Sequence, residues 1–385
     1  MEIQEKYEGK KFCVATIIPK IKPRAEKIES FEEFKELIKN LGGEIVEEII
    51  QKRDRPDPRF FIGRGKAEEI AQKNNIDVLA IDDILKPNQI VNLREITKKE
   101  VIDREYIIIK IFAERATTRE GKLQVELAEL KYRLAKLIGM GKEMSQLGGM
   151  PGTRGPGETK TEELRRHIFA RIRAIEKELE EIKKTRKIHR ERRKKQGFLT
   201  FSLVGYTNVG KSTILRALSG EDVQIKNQLF TTLETRVGTL KDLTNGEYSN
   251  KKILISDTVG FIRNLPHSLI SAFRSTLEEI VFSDALIFVL DISQDYEKQF
   301  STIRSVLEEI LVDEQKPRII VFNKIDLVSK ERIIQAQQKF QDAVFISALK
   351  KTGLEELKEK IIKISERIWK QNQMEKTEEM SKSAI

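Results

Sequence analysis

The sequence predicts an α/β protein in three parts. These are an N-terminal α/β domain over residues 1–115, a long antiparallel helical hairpin over 116–197, and a C-terminal α/β domain over 198–370 with a mixed, mostly parallel sheet. Three observations predict it. Short apolar runs alternate with helical patterns at both ends of the chain, the layout of strands joined by crossover helices. Two narrow apolar seams at helical period fill the middle. A Gly-rich turn beginning at Gly205 stands between an apolar run and a helical pattern. The 385 residues allow two or three domains at about 100–200 residues each.

Phe12–Ile18 reads as the first strand. Phe31, Phe34, Leu37, Ile38 and Leu41 share one helix face, and Gly42-Gly43 stops that helix. Glu44–Ile50 is the next strand and Val78–Ile81 a buried one. In the hairpin, Leu123, Leu127, Leu130, Leu134 and Leu137 step by four and three residues. Leu164, Ile168, Ile172, Ile175, Leu179 and Ile182 do the same, and two such helices joined by one linker form an antiparallel pair. The linker, 139–160, carries GGMPGTRGPGET and is too rich in glycine to be helical. It is either disordered or functional. Arg154 and Lys160, set among glycines that let backbone approach a ligand, favour function. Residues 371–385 have no apolar period and are expected to be a disordered tail.

Lys+Arg 71 against Asp+Glu 61 gives a net charge of +10. Its location matters more than its size. Between 183 and 195, nine of 13 residues are Lys or Arg and one is Glu. A helix dipole accounts for two or three cations at a C-terminus, not nine. Lys183, Lys184, Arg186, Lys187, Arg190, Arg192, Arg193, Lys194 and Lys195 therefore read as a phosphate-contacting, RNA-binding segment, together with Arg154 and Lys160. Cys13 stands alone, so no intramolecular disulfide forms. With His167, His189 and His267 scattered, a Cys/His zinc site is not expected either. No apolar run approaches the length of a membrane span, and MEIQEKYEGKKF lacks a signal core. A cytoplasmic, monomeric protein is expected.

Phe198–Val204 is an apolar run followed by Gly205-Tyr206-Thr207-Asn208-Val209-Gly210-Lys211-Ser212-Thr213 and a helical pattern. This is G-x-x-x-x-G-K-[ST] in the strand–loop–helix context its chemistry requires. The glycines let backbone N–H groups point at phosphates, and the helix N-terminus adds positive potential. Lys211 reaches the β- and γ-phosphates and Ser212 ligates Mg²⁺. Downstream, the strand Lys252–Ser256 runs into Asp257-Thr258-Val259-Gly260, where Asp257 holds the metal through water and the Gly260 N–H meets the γ-phosphate. Leu286–Leu290 and Ile319–Phe322 are two more strands, the second opening into Asn323-Lys324-Ile325-Asp326. A carboxylate there accepts the N1–H and amino group of guanine. Adenine offers no such donors, so ATP would leave Asp326 unpaired. Lys324 lays its stem on the base. A strand at Ala343–Ile346 leads to Ser347-Ala348-Leu349, whose backbone meets the guanine oxygen.

This ordered set resembles the translation-factor-related GTPases over 198–369. Between the loop and Asp257 lies Asn227-Gln-Leu-Phe230-Thr231-Thr232-Leu233, followed by Glu234. Thr231 and Thr232 both suit Mg²⁺ and γ-phosphate sensing chemically. The family pattern Phe-x-Thr-Leu selects Thr232, and residues 230–234 are taken as nucleotide-binding. Lys211, Thr232 and Gly260 are the catalytic candidates; Ser212 and Thr232 are the metal ligands. Phe261 follows Gly260, where many relatives place a water-orienting glutamine. Slow unaided turnover is expected.

Further segments resemble the HflX-type GTPases: FFIGRGK at 60–66, FAERATTREGKLQVEL at 112–127, and the glycine loop at 148–159. The resemblance covers about 1–370. It implies a P-loop GTPase domain, binding to the large ribosomal subunit and its rRNA, and a role in splitting or rescuing ribosomes. It also implies a second nucleotide, ATP, at the N-terminal domain. FIGRGK reads either as an anion cradle on Gly63 and Gly65 before a helix at 67–74, or as an ordinary turn with a conformational glycine. The chain departs from the family at Met150-Pro151, at Lys160, and in a switch segment about two residues short. The reading reached is a Mg²⁺-dependent GTP/GDP switch on the ribosome. The alternatives are a nucleotide-regulated RNA-remodelling, helicase-like module, or a membrane-surface GTPase resting only on the basic stretch.

Overall fold

The computed structural model describes residues 7–20, 24–147, 156–220, 236–240, 252–258, 260, 279–310 and 316–383. Its described residues fall into two compact units, and the boundary lies inside one helix, between Glu180 and Glu181.

The first unit holds β1 (Lys11–Ile18), α1 (Arg24–Asn40), β2 (Glu44–Lys52), α2 (Arg64–Ala71), β3 (Val78–Ile81), α3 (Pro87–Thr97), β4 (Glu100–Asp103), α4 (Arg104–Arg115), α5 (Arg119–Leu147) and the first part of α6 (Pro156–Lys195). Its four strands are parallel in the order β2-β1-β3-β4. Helices cover both faces of such a sheet, which is why β1 and β3 are continuous apolar runs instead of alternating ones. Phe12, Phe31, Phe34, Leu37 and Ile38 are fully buried, so the helix face read from the sequence is the one that packs. The strand β4 is an addition to the sequence reading. Asp103 ends it and caps α4 by accepting the Tyr106 N–H at 3.0 Å.

The hairpin is antiparallel. Arg119 pairs with Glu178, and Arg171 with Glu126, so residue numbers rise on one helix as they fall on the other. Leu123, Leu127, Ile168, Ile172 and Ile175 form its buried seam. The seam thins away from the sheet, where Leu164 is 49% exposed. Lys136 of α5 reaches back to Asp103 at 2.9 Å, which ties the hairpin to the N-terminal sheet. The predicted loop 139–160 is shorter in the structure. α5 continues to Leu147 through Gly139 and Gly141, and α6 begins at Pro156. Good helix formers around the two glycines outweigh about 1 kcal/mol each, and proline is well placed at a first helical position. Lys160 is therefore helical, not a loop residue.

The second unit holds β5 (Leu199–Gly205), α7 (Lys211–Ser219), β6 (Arg236–Thr239), β7 (Ile253–Asp257), β8 (Ala285–Asp291), α8 (Tyr296–Ile310), β9 (Arg318–Asn323), a 3₁₀ turn (Ile325–Leu327), α9 (Lys330–Lys339), β10 (Val344–Phe345) and α10 (Leu354–Ser383). The sheet order is β10-β9-β8-β5-β7-β6. All pairs are parallel except β6 with β7, so the sheet is mixed and mostly parallel as expected. β6 was not legible in the sequence; four residues, two of them exposed, give no pattern. The tail also differs from expectation, because α10 runs on to Ser383. Its last turns lack an apolar face, but a helix already anchored gains one hydrogen bond for each residue it adds.

α6 enters β5 with almost no connection. Gly197 sits at φ 78, its N–H donates to Lys194 O at 3.0 Å, and the Phe198 N–H donates to Arg193 O at 3.1 Å. This left-handed stop closes the helix directly before the strand. Trp369 of α10, 3% exposed, donates its indole N–H to Gly197 O at 3.0 Å. Replacing it, Trp369→Phe, keeps most of the buried ring and deletes the donor. The expected cost is about 1–3 kcal/mol, read by urea unfolding followed by circular dichroism, since Trp369 is the chain's one tryptophan.

Candidate active site

Among the described residues, Gly205–Ser212, Asp257, Gly260 and Asn323–Asp326 come together at the carboxyl ends of the second sheet, the edge at which open parallel sheets hold ligands. Strand register sets their level. Gly205 pairs with Val289, Leu203 with Asp257, and Asp291 with Asn323.

Two glycines shape the loop. A Cβ on Gly205 would lie 2.4 Å from Val289 O. Gly210 has φ 95, and a Cβ there would meet Asn323 Nδ2 at 2.3 Å. No side chain fits either place. Gly210 also caps α7, and having no side chain it makes no capping hydrogen bond of its own. Lys211 is 6% exposed, and its ammonium donates to Gly205 O at 3.0 Å and Tyr206 O at 2.7 Å. Burial pushes its pKa down to about 8, against the pull of Asp257. Two carbonyls from the loop thus hold the cation inside the loop's own curve.

Ser212 Oγ donates to Asp257 Oδ2 at 2.6 Å, and Asp257 is fully buried. A hydroxyl and a carboxylate this close, beside a helix N-terminus, form an all-oxygen donor set of the kind that suits Mg²⁺. Gly260 lies against the loop, since a Cβ there would be 2.8 Å from Thr207 Cα. The Thr258 hydroxyl donates to Leu203 O at 2.7 Å and the residue is 1% exposed, so its side chain is bound into the sheet.

Asn323 is the tie between the loop and the base-reading segment. Its Nδ2 donates to Val209 O at 2.8 Å, and its Oδ1 accepts the Ala348 N–H at 3.0 Å. That second bond engages an N–H that was expected to face guanine. The Ser347 N–H likewise donates to Thr352 O at 3.0 Å, whereas Leu349 is 79% exposed. Asp326 is half-buried on the 3₁₀ turn. Lys324, at φ 67, places its ammonium 2.7 Å from Asp291 Oδ2. Asp291 escaped the sequence reading, although it ends an apolar strand just as Asp257 does. Arg154, Phe230, Thr231, Thr232, Leu233, Glu234, Val259 and Phe261 lie outside the described residues.

The basic segment is partly redirected. Arg190 pairs with Glu279 at 3.4 Å, the side chains being 13% and 9% exposed, and its guanidinium lies 4.0 Å from the Phe282 ring centroid. It joins α6 to the second unit and is spent there. Lys183, Lys184, Lys187, Arg192, Lys194 and Lys195 are exposed, and Arg186 and Arg193 half-buried. Lys184 pairs with Glu181 at 3.0 Å on its own helix. The segment ends α6, whereas Arg154 precedes its first residue, Pro156.

In the first unit, Gly63 has φ 79 and Arg53 Nη1 lies 2.6 Å from where its Cβ would stand. The conformational glycine accounts for that turn. The helix after it starts at Arg64, three residues earlier than the sequence suggested.

Three family profiles match along the chain: GTP-binding GTPase N-terminal over 28–113, GTP-binding GTPase middle region over 115–193, and 50S ribosome-binding GTPase over 200–324. Proteins named GTPase HflX from Caldanaerobacter subterraneus subsp. tengcongensis, Escherichia coli K12 and Methanocaldococcus jannaschii are 44%, 38% and 38% identical to it. Each similarity spans 86% of this chain, and 76%, 78% and 82% of the relative, so it runs through all three parts. The chain belongs to the HflX family of GTPases. It binds GTP and hydrolyses it. It is also similar to the crystal structure of SsGBP in complex with GDP, with 28% identity and a TM-score of 0.51 over 94% of this chain and 99% of that one. Among the described residues no helix is long and apolar enough to cross a membrane.

Gly210→Ala tests the loop geometry of this HflX family member. The added methyl must displace Asn323 and hold a positive φ. Fluorescent GDP is expected to bind at least about tenfold more weakly, measured by anisotropy.

Proposed function

We propose that this GTPase is a Mg²⁺-dependent switch that works on the large ribosomal subunit. In this reading Ser212 would hold the metal directly, Asp257 would hold it through water, and Thr232 would complete the set when GTP is bound. Lys211 leaves the carbonyls of Gly205 and Tyr206 for the β- and γ-phosphates. The Gly260 N–H meets the γ-phosphate, and Asp326 reads guanine. Mg²⁺ supplies charge neutralisation at the phosphates when bound.

The observation that carries the ribosome is the course of α6. Its last turns expose six cations, and the helix passes through Gly197 straight into the strand that ends in the phosphate loop. A polyanion bound along α6 would therefore act on an element continuous with the nucleotide site. RNA is the polyanion that such a surface suits, since it is recognised mainly through phosphates and shape. The description of the family profile over 200–324 supports the same partner.

The chemistry agrees. Phe261 offers no hydrogen bond to an attacking water, so a partner that rearranges the switch segments would raise turnover. Steady-state GTP hydrolysis is expected to be slow alone and to rise at least about tenfold with purified large subunits, with Lys211→Ala as the blank. Fast hydrolysis without subunits would overturn the reading of Phe261. Nucleotide-dependent binding to RNA without stimulation would favour the remodelling module instead.

A separate prediction concerns the cations. Exchanging Lys183, Lys187 and Lys194 for glutamate should weaken subunit binding at all salt concentrations. The slope of log affinity against log salt should shrink by about one for each lost phosphate contact. An unchanged slope would remove the basic segment from the interface.

A further inference from the structure

Within the base-reading segment, Lys324 pairs with a buried carboxylate, Asp291, that the nucleotide motifs do not contain. Asp291 ends β8 and pairs in register with Asn323. Its side chain is 1% exposed, and Oδ2 lies 2.7 Å from Lys324 Nζ. Oδ1 accepts both the Ser293 N–H at 2.9 Å and the Ser293 hydroxyl at 2.6 Å. The Asp291 N–H donates to Gln299 Oε1 at 2.9 Å. The carboxylate is held on every side and cannot turn. Its partner is held too. Lys324 stands in the left-handed region, at φ 67, and caps the 3₁₀ turn that carries Asp326. That conformation is unfavourable for a residue with a side chain, so something must stabilise it.

We propose that Asp291 is a positioning residue for the guanine nucleotide, drawing the Lys324 ammonium over the end of β8 so that the lysine stem lies stretched along the base site. The proposal rests on the reading of Asp326 as the carboxylate that recognises guanine. Two physical effects follow. A lysine loses rotamer freedom when it is fixed, and a lysine fixed beforehand does not lose it again when the base arrives. The pair also neutralises itself. Lys324 then needs no counter-charge from Asp326, whose oxygens stay available to the donors on the guanine edge. In water such a pair would be worth little. Burial of the carboxylate is what makes the tether strong and its rupture costly.

The test uses the full chain and compares a ligand that has a base with one that lacks it. Asp291→Asn keeps the shape and removes the charge. Fluorescent GDP is expected to bind about tenfold more weakly, whereas inorganic pyrophosphate competes within about twofold of the original constant. KM for GTP rises and kcat at saturation does not change. In a Lys324→Met background, Asp291→Asn is expected to cause no further loss, because the stem is present and no ammonium is left to tether. If Asp291→Asn does not fold by circular dichroism, the charge-free pair Asp291→Asn with Lys324→Met carries the same comparison of GDP with pyrophosphate.

Equal weakening of GDP and pyrophosphate would overturn the proposal in favour of a merely structural carboxylate. Unchanged GDP binding would overturn it outright. Asp326→Asn run in parallel separates the two readings. If it fails to shift preference from guanine toward xanthine, the base-reading assignment falls. If it shifts preference and Asp291→Asn leaves GDP binding unchanged, only the role of Asp291 falls.

Discussion

The site depends on one buried amide. Asn323 binds the Val209 carbonyl with one end and the Ala348 N–H with the other, and it fills the space that the absent side chain of Gly210 leaves. The first bond locks the phosphate loop to the segment that presents Asp326, although the two are more than a hundred residues apart in the chain, and the second ties that segment to Ala348. A buried amide of this kind has a strong preference for one arrangement, because any other leaves a donor and an acceptor unpaired away from water. The register of β8 with β9 places Asn323 where it can do this. The register of β5 with β7 places Asp257 beside Ser212 in the same way. The chemistry of the loops is thus set by strand pairing beneath them.

A second constraint is the junction of α6 with β5. Helix, left-handed glycine and strand follow one another without a flexible linker, and Trp369 closes over the glycine carbonyl. Arg190 adds an ion pair to Glu279 and a cation–π contact to Phe282. The end of α6 therefore belongs mechanically to the GTPase domain, while its earlier turns pack on α5. The basic segment is divided accordingly. Most of its cations are exposed, and Arg190 fastens the helix.

Much of this was legible beforehand. The apolar runs at Phe12, Val78 and Phe201 are strands because strands covered on both faces must be continuously apolar. The leucine and isoleucine seams are helices because 4,3 spacing serves only one side of a helix. What failed was boundaries and ends. Gly139, Gly141 and Gly157 read as loop, yet each sits in a helix whose neighbours propagate through it. The residues after 370 lack an apolar face, yet they extend a helix already nucleated and anchored by Leu357, Ile361 and Trp369.

At the site, the sequence alone determined the class of chemistry, because phosphate, Mg²⁺ and guanine each demand particular atoms at short fixed spacings along the chain. Gly210-Lys211-Ser212, Asp257 and Asn323–Asp326 could be named without a fold. Only the tertiary structure decided how these groups are held. It turned Thr258 into a sheet residue and Arg190 into a fastener. It gave the Ala348 N–H to Asn323 and set Asp291 against Lys324. Those assignments depend on which strand ends stand side by side. That is a matter of pairing between distant segments, and no local pattern of residue types encodes it.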